Sequence, residues 1–455
     1  MDAFNENLNE QQAQQPMGCL HRFSKTIKVV IIGLLILLLM IPMFMIENLI
    51  SERGRTQEEA IDEVSEKWSL AQTITGPYLN LQYPVVTENN GEKKVSIKDL
   101  ILFPDELMVN GQLKTEILKR SIYEVNVYQS ELTLKGSFSS EELKKSRIDM
   151  DQLQFDRAAI CLNLTDMRGI SEQISITLGD SVYIFEPGMD NRGIANTGVH
   201  AIANLSELKQ NKKLPYEIKI KLKGSQSLNF IPLGKTTRVD LKANWNTPSF
   251  TGNYLPNNRN ITEKEFSAQW QVLNLNRNYS QVMADYNTSN IKDIENSSFG
   301  VNFKIPVEQY QQSMRSAKYA ILIILLTFGV IFFTEIMNKT RIHALQYLLV
   351  GLALCLFYSL LLSFSEHIGF NPAYLLSSAL TIILVGGYMF GITKKKKPSL
   401  IMSGLLGILY LYIFVLIQLE TFALLAGSLG LFIILAMAVS YTDLRAHETL
   451  ANLVC

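Results

Sequence analysis

Val29-Val-Ile-Ile-Gly-Leu-Leu-Ile-Leu-Leu-Leu-Met-Ile-Pro-Met-Phe-Met-Ile46 carries no charge and is long enough to cross a bilayer as a helix. No comparable run appears from Glu47 to Arg315. Apolar runs then return at 317–337, 345–364, 372–392, 400–419 and 422–439, with barely any loop between them. Unpaired backbone polar groups are not tolerated in lipid, so runs of this length read as helices. The expected fold is a membrane protein with six transmembrane α-helices, arranged one plus five. A large antiparallel β-rich domain, of sandwich type, is inserted after the first. The expected segments are a tail at 1–28, a first span at 29–46, the β-rich domain at 47–315, a five-helix bundle at 317–442 and a second tail at 443–455.

Lys and Arg in short loops set the expected orientation, because cytoplasmic loops carry the excess. Arg22, Lys25 and Lys28 precede the first span; Lys339 and Arg341 follow the second; Lys394, Lys395, Lys396 and Lys397 separate the fourth and fifth; Arg445 lies in the tail. The alternate loops, 366–371 and 418–421, hold Glu366 and Glu420 but no Lys or Arg. Both termini are therefore expected in the cytoplasm and 47–315 outside it, in the periplasm of a diderm bacterium. The first span reads as a retained anchor, since Met45-Ile46-Glu47-Asn48 offers no small-x-small cleavage site. Lys plus Arg and Asp plus Glu both number 42, which argues against nucleic acid as a partner. Of four cysteines only Cys161 falls in the expected external domain, so that domain must be held by its core rather than by a disulfide.

Period-two patterning dominates the polar block. Tyr216, Ile218, Ile220 and Leu222 alternate with Glu217, Lys219, Lys221 and Lys223, and Val239, Leu241, Ala243 and Trp245 with Arg238, Asp240, Lys242 and Asn244. Tyr123, Val125 and Val127, Val182 with Ile184, and Val301 with Phe303 repeat the signal of half-buried strands. Asn89-Asn90-Gly91, Asn110-Gly111, Gly136 and Gly224 read as turns. Thr56-x-x-Glu59 fits a capping box opening a separate helix at 57–71. A short echo links Leu134-Lys-Gly136 to Leu222-Lys-Gly224.

Catalytic motifs are missing from the sequence: no Gly-x-Ser-x-Gly, Walker loop, His-Glu-x-x-His or Cys-x-x-Cys occurs. His200 is the one histidine of the polar block, which leaves no histidine pair there for a metal. No catalytic, cofactor-binding or metal residue is assigned. Asp166-Met-Arg-Gly169 and 186–193 read as loops. Charge inside lipid usually marks function, yet Glu335, Glu366, His367 and Glu420 all fall near span ends. Gly351 with Cys355, and Ala423 with Gly427, offer small residues for close helix approach. Ser365, Glu366 and His367 form the candidate seam between domain and bundle. Gly369 is expected to end that helix, with Asn371-Pro372 opening the next.

Gly76-Pro-Tyr-Leu79, Arg120-Ser-Ile-Tyr-Glu-Val-Asn-Val-Tyr128, Thr165-Asp-Met-Arg-Gly169 and Trp245-Asn-Thr-Pro-Ser-Phe-Thr-Gly252 stand in the polar block, and Tyr347-Leu-Leu-Val-Gly-Leu-Ala-Leu354 and Ser363-Phe-Ser-Glu-His-Ile-Gly-Phe370 in the bundle. Together these motifs resemble the external-domain and bundle signatures of the CreD family of inner-membrane proteins. The resemblance implies a part in cell-envelope integrity and in envelope responses under two-component control, including those to β-lactams. It implies no catalytic residue. The expected function is non-enzymatic and without cofactor. Expected partners are the lipid bilayer and other envelope or membrane proteins, including a sensor kinase. The alternative is a membrane enzyme or transporter handling a lipid or envelope precursor through the bundle. That alternative needs Glu335, Glu366 and His367 to converge on one cavity.

Overall fold

A computed structural model describes residues 18–419, apart from 90–91, 147, 190–193, 196, 211, 285–287, 304–307 and 339–340, and also 425, 427–429, 432 and 436. Helix α1 runs unbroken over Gly18–Trp68. Residues 57–68 are helical as expected, but as the continuation of α1 and not as a separate helix opened by Thr56-x-x-Glu59. Thr56 instead donates its hydroxyl back to Glu52 O at 3.0 Å, a mid-helix bond. The physical reason is continuity of helix formers: the polar residues after Ile46 hold no proline, so nothing stops the helix that the apolar run began. Two compact units share the chain, one of residues 1–56 with 307–455 and one of residues 57–306.

In unit 57–306 the strands that matter are β1 (Gln72–Asn89), β2 (Glu92–Leu102), β3 (Glu106–Arg120), β4 (Tyr123–Phe138), β5 (Ala158–Leu164), β6 (Leu214–Ser225), β7 (Thr236–Ala243) and β8 (Phe266–Leu273). Among the described residues they belong to an eight-stranded and a nine-stranded sheet. The first orders Asn258–Ile261, β8, β7, β3, β4, β6, Ser175–Leu178 and Ser181–Ile184. The second is built around β1, which pairs β2 along the hairpin and β5 on its other side. All but two pairings are antiparallel; β7 with β3, and β1 with Ser227–Phe230, run parallel. One core takes Leu79, Leu81, Ile160 and Leu162 from one sheet and Leu107, Val109, Ile218 and Leu241 from the other. The sandwich is therefore present.

Alternation predicted β6 correctly: Tyr216, Ile218, Ile220 and Leu222 are buried, while Lys219 and Lys221 are exposed. Val182 and Ile184 do form a strand, but both side chains are largely exposed. Their strand is a sheet edge in which Tyr183 packs against the core, so its neighbours Val182 and Ile184 fall on the opposite, outer face. β7 stops at Ala243, before Trp245.

The glycine turns are also corrected. Gly111 lies inside β3, Gly136 inside β4 and Gly224 inside β6; the expected turn at Asn90-Gly91 lies outside the described residues. β4 and β6 pair so that Tyr216 faces Gly136 and Tyr128 faces Gly224. A Cβ on Gly136 would strike Glu106 O and the Tyr216 hydroxyl, and one on Gly224 would strike the Tyr128 ring. Each tyrosine lies across a bare glycine and reaches a backbone carbonyl beyond it. Tyr216 donates to Glu106 O at 2.9 Å and Tyr128 to Ser227 O at 2.8 Å. The Leu-Lys-Gly echo is this reciprocal pair.

The other unit contains α2 (Glu308–Lys318), α3 (Ala320–Asn338), α4 (Ala344–Ile368), α5 (Phe370–Thr393) and α6 (Lys396–Gln418). With α1, four of these make five helices long and apolar enough to span a membrane among the described residues. The expected last span, 422–439, lies largely outside the described residues, as do Glu420, Ala423 and Arg445. Gly369 sits at φ 78° and donates its N–H to Ser365 O, ending α4 as expected, and Pro372 falls in the first turn of α5.

Candidate functional site

α1 shows the bundle a narrow stripe. Leu39, Met43 and Ile50 are buried, whereas Leu34, Leu37, Ile41 and Phe44 are exposed, as a lipid-facing helix requires. Leu39 sits over Gly351 of α4, where any Cβ would collide with it. Gly351 thus does what small residues do in membranes, letting one helix lie close to another.

Two polar clamps fix the ends of this contact. Lys28 donates to Glu335 Oε1 and to Ile342 O (2.8 Å). Tyr347 donates to Glu335 Oε2 at 3.2 Å, and Lys28 lies 5.7 Å from the Tyr347 ring centroid. At the second clamp Tyr310 of α2 donates to Glu366 Oε1 at 2.9 Å, and Arg53 Nε approaches the same oxygen at 3.8 Å. The Glu335 and Glu366 side chains are only 12% and 10% exposed, so both carboxylates depend on these partners. Lys28 and Arg53 lie on one helix, about 38 Å apart along its axis. That separation approaches the hydrocarbon thickness plus part of both headgroup layers. Glu335 and Glu366 are therefore at opposite ends of the span and do not converge.

The three candidate seam residues share a turn but not an environment. Ser365 is buried and donates its hydroxyl to Leu362 O at 2.8 Å. Glu366 is held as described, and His367 is exposed. Sequence reasoning found the glutamates and missed their partners. Lys28 counted only as an orientation signal, Tyr347 only as part of a family-like motif, and no pattern paired Tyr310 or Arg53 with them.

In unit 57–306, Asp166-Met-Arg-Gly169 is more than a loop. Asp166 is buried and accepts from the Leu70 N–H (2.9 Å), Ser69 Oγ (3.3 Å), the Arg168 N–H (3.0 Å) and the Arg168 guanidinium. Burial pushes its pKa up, but the hydrogen bonds from Arg168 and from the Leu70 N–H outweigh that and hold the carboxyl below its ordinary range. Arg168 Nη1 then donates to Glu66 O at 2.6 Å, capping a free carbonyl in the last turn of α1. Gln72 bonds Ser69, Asp166 and Lys223 O, and Lys223 lies 4.9 Å from the Trp68 ring centroid. The motif staples the C-terminal end of α1 to the sheets. The segment 186–193 lies partly outside the described residues.

No three His, Cys, Asp or Glu gather as a metal set among the described residues. His200 Nδ1 contacts Gly188 O at 2.7 Å. A half-open depression of about 240 Å³ is lined by Thr73, Thr75, Asn163, Thr197, Glu295 and Ser298. Asn163 there is already used by Tyr78, Ala195 O and Thr197 O.

A family model described as Inner membrane protein CreD matches residues 24–444. The chain is 32% identical over 408 residues to Inner membrane protein CreD of Escherichia coli (strain K12), covering 88% of this chain and 89% of that one.

Proposed function

The chain belongs to the CreD family of inner membrane proteins, and on that premise we propose that it serves cell-envelope integrity by interaction rather than catalysis. Its β-rich unit stands outside the cytoplasm and meets another envelope component or stress signal, and both termini are cytoplasmic. One observation carries this reading. The two bundle carboxylates that an enzyme or transporter would want together are engaged separately, at opposite ends of α1, in contacts that hold that helix. Lys and Arg in the short loops support the orientation. Of the three seam residues, His367 is the exposed one, so the seam proposal rests on it. A neighbouring membrane protein, including a sensor kinase, is the expected partner class.

The test uses the full chain in intact cells. A cysteine at exposed Lys219 is expected to react with an impermeant thiol reagent added outside the inner membrane. A photo-cross-linking residue at His367 or Lys219 is expected to trap discrete adducts with envelope proteins. Labelling only after the inner membrane is opened contradicts the orientation. No adduct at either site, together with turnover of a lipid precursor by the purified protein, contradicts the interaction reading.

A further inference from the structure

Helices α4, α5 and α6 each carry a buried hydroxyl residue near the helix midpoint. Tyr358, Ser377 and Tyr410 are 1%, 0% and 2% exposed. Their hydroxyl oxygens have no hydrogen-bond partner among the described residues. Each lies within about one and a half turns of its helix midpoint. The neighbourhood is tight: the Phe357 ring centroid is 4.5 Å from that of Tyr410 and 5.4 Å from that of Tyr374. Tyr374 spends its hydroxyl on Tyr410 O at 2.9 Å. Thr381 donates to Ser377 O at 2.9 Å and lies close enough to the Tyr410 hydroxyl to act on it. The Tyr358 hydroxyl is within electrostatic reach of Tyr374, Tyr410 and Cys355.

We propose that Tyr358, Ser377, Thr381 and Tyr410 bind a small cluster of ordered water at mid-depth in the bundle. An unpaired buried hydroxyl costs stability that phenylalanine or alanine of similar shape would avoid. Three of them on three adjoining helices at one level therefore point to a polar occupant. The set contains donors and acceptors but no charge, so it suits a neutral hydrogen-bonding ligand and does not compensate a dehydrated ion. Water fits this chemistry, since a buried water needs two to four polar partners and little room. Ser313 and Ser316 belong to α2, the helix whose Tyr310 bonds Glu366. Both are buried with unpartnered hydroxyls, on a helix that packs against the same α4, α5 and α6.

The experiment uses the full chain in membrane vesicles, with Cys19, Cys161, Cys355 and Cys455 changed to serine. A cysteine ionises, and so reacts with methyl methanethiosulfonate, only where it is hydrated. Ser377→Cys is expected to react at least about tenfold faster than Ile383→Cys, a lipid-facing control on the same helix that is 71% exposed. Independently, Tyr358→Phe and Tyr410→Phe, each in the unaltered chain, are expected to lower the thermal midpoint, because each removes a water ligand. A dry interior predicts the reverse. Ser377→Cys reacting no faster than Ile383→Cys, or both phenylalanine variants unfolding at or above the wild-type temperature, overturns the proposal.

Discussion

Gly136→Val is expected to prevent the β-rich unit from folding. The valine Cβ would be driven into Glu106 O, a backbone atom held in the β3–β4 ladder, and into the Tyr216 hydroxyl. Backbone in the interior of a sheet has no room to retreat, so the cost is expected to exceed about 4 kcal/mol. Gly224→Val meets Tyr128 in the same way at the reciprocal site. Tyr216→Phe, which loses only the bond to Glu106 O, is expected to cost about 1 kcal/mol. Limited proteolysis of the full chain in detergent reads all three. A Gly136→Val unit as resistant as wild type would show that the strand pair is not built on this contact.

Asp166→Ala is the second large effect. It leaves the Leu70 N–H without an acceptor and removes the anion that Arg168 is folded around, for about 3 kcal/mol. The pH dependence follows from the depressed pKa. A carboxyl held below its ordinary range contributes its stability above the unfolded pKa and loses it as pH falls through the folded one. The thermal midpoint of unit 57–306 is expected to drop as the solution is taken below the ordinary carboxylate range, and Asp166→Asn to remove that component. Equal acid sensitivity in Asp166→Asn and wild type would assign the effect to other carboxyls.

Much of this architecture was legible in one dimension. Run length gave the five described spans and alternation gave β6 and β7, because both report burial of consecutive residues. Gly136 and Gly224 misled because glycine marks a turn and a close approach with the same letter, and only the register distinguishes them. The single α1 was hidden because a capping-box pattern also occurs inside helices, where Thr56 finds Glu52 O instead. Val182 and Ile184 alternate like core residues, yet Tyr183 between them takes the core face and leaves both outside. Within the candidate site, Glu366 and His367 were visible as polar residues at a span end. Lys28 and Glu335 are 307 positions apart, and no local pattern pairs them. The hydroxyl cluster escaped because tyrosine, serine and threonine are unremarkable in a span until their partners are counted.

The central claim is that Glu335 and Glu366 serve as ion-pair partners of α1 and not as reactive carboxylates. Charge exchange tests it most directly. Lys28→Glu alone, Glu335→Lys alone, Arg53→Glu alone and Glu366→Arg alone are each expected to lower the thermal midpoint of the membrane unit. Each is also expected to fail to restore envelope resistance to a strain lacking the gene. The paired exchanges, Lys28→Glu with Glu335→Lys and Arg53→Glu with Glu366→Arg, rebuild each contact with its charges reversed on the same side of the membrane. Both pairs are expected to recover stability and resistance together. An exchanged pair that regains its stability but still fails to protect the cell would contradict the account, because the carboxylate itself would then be doing chemistry or transport.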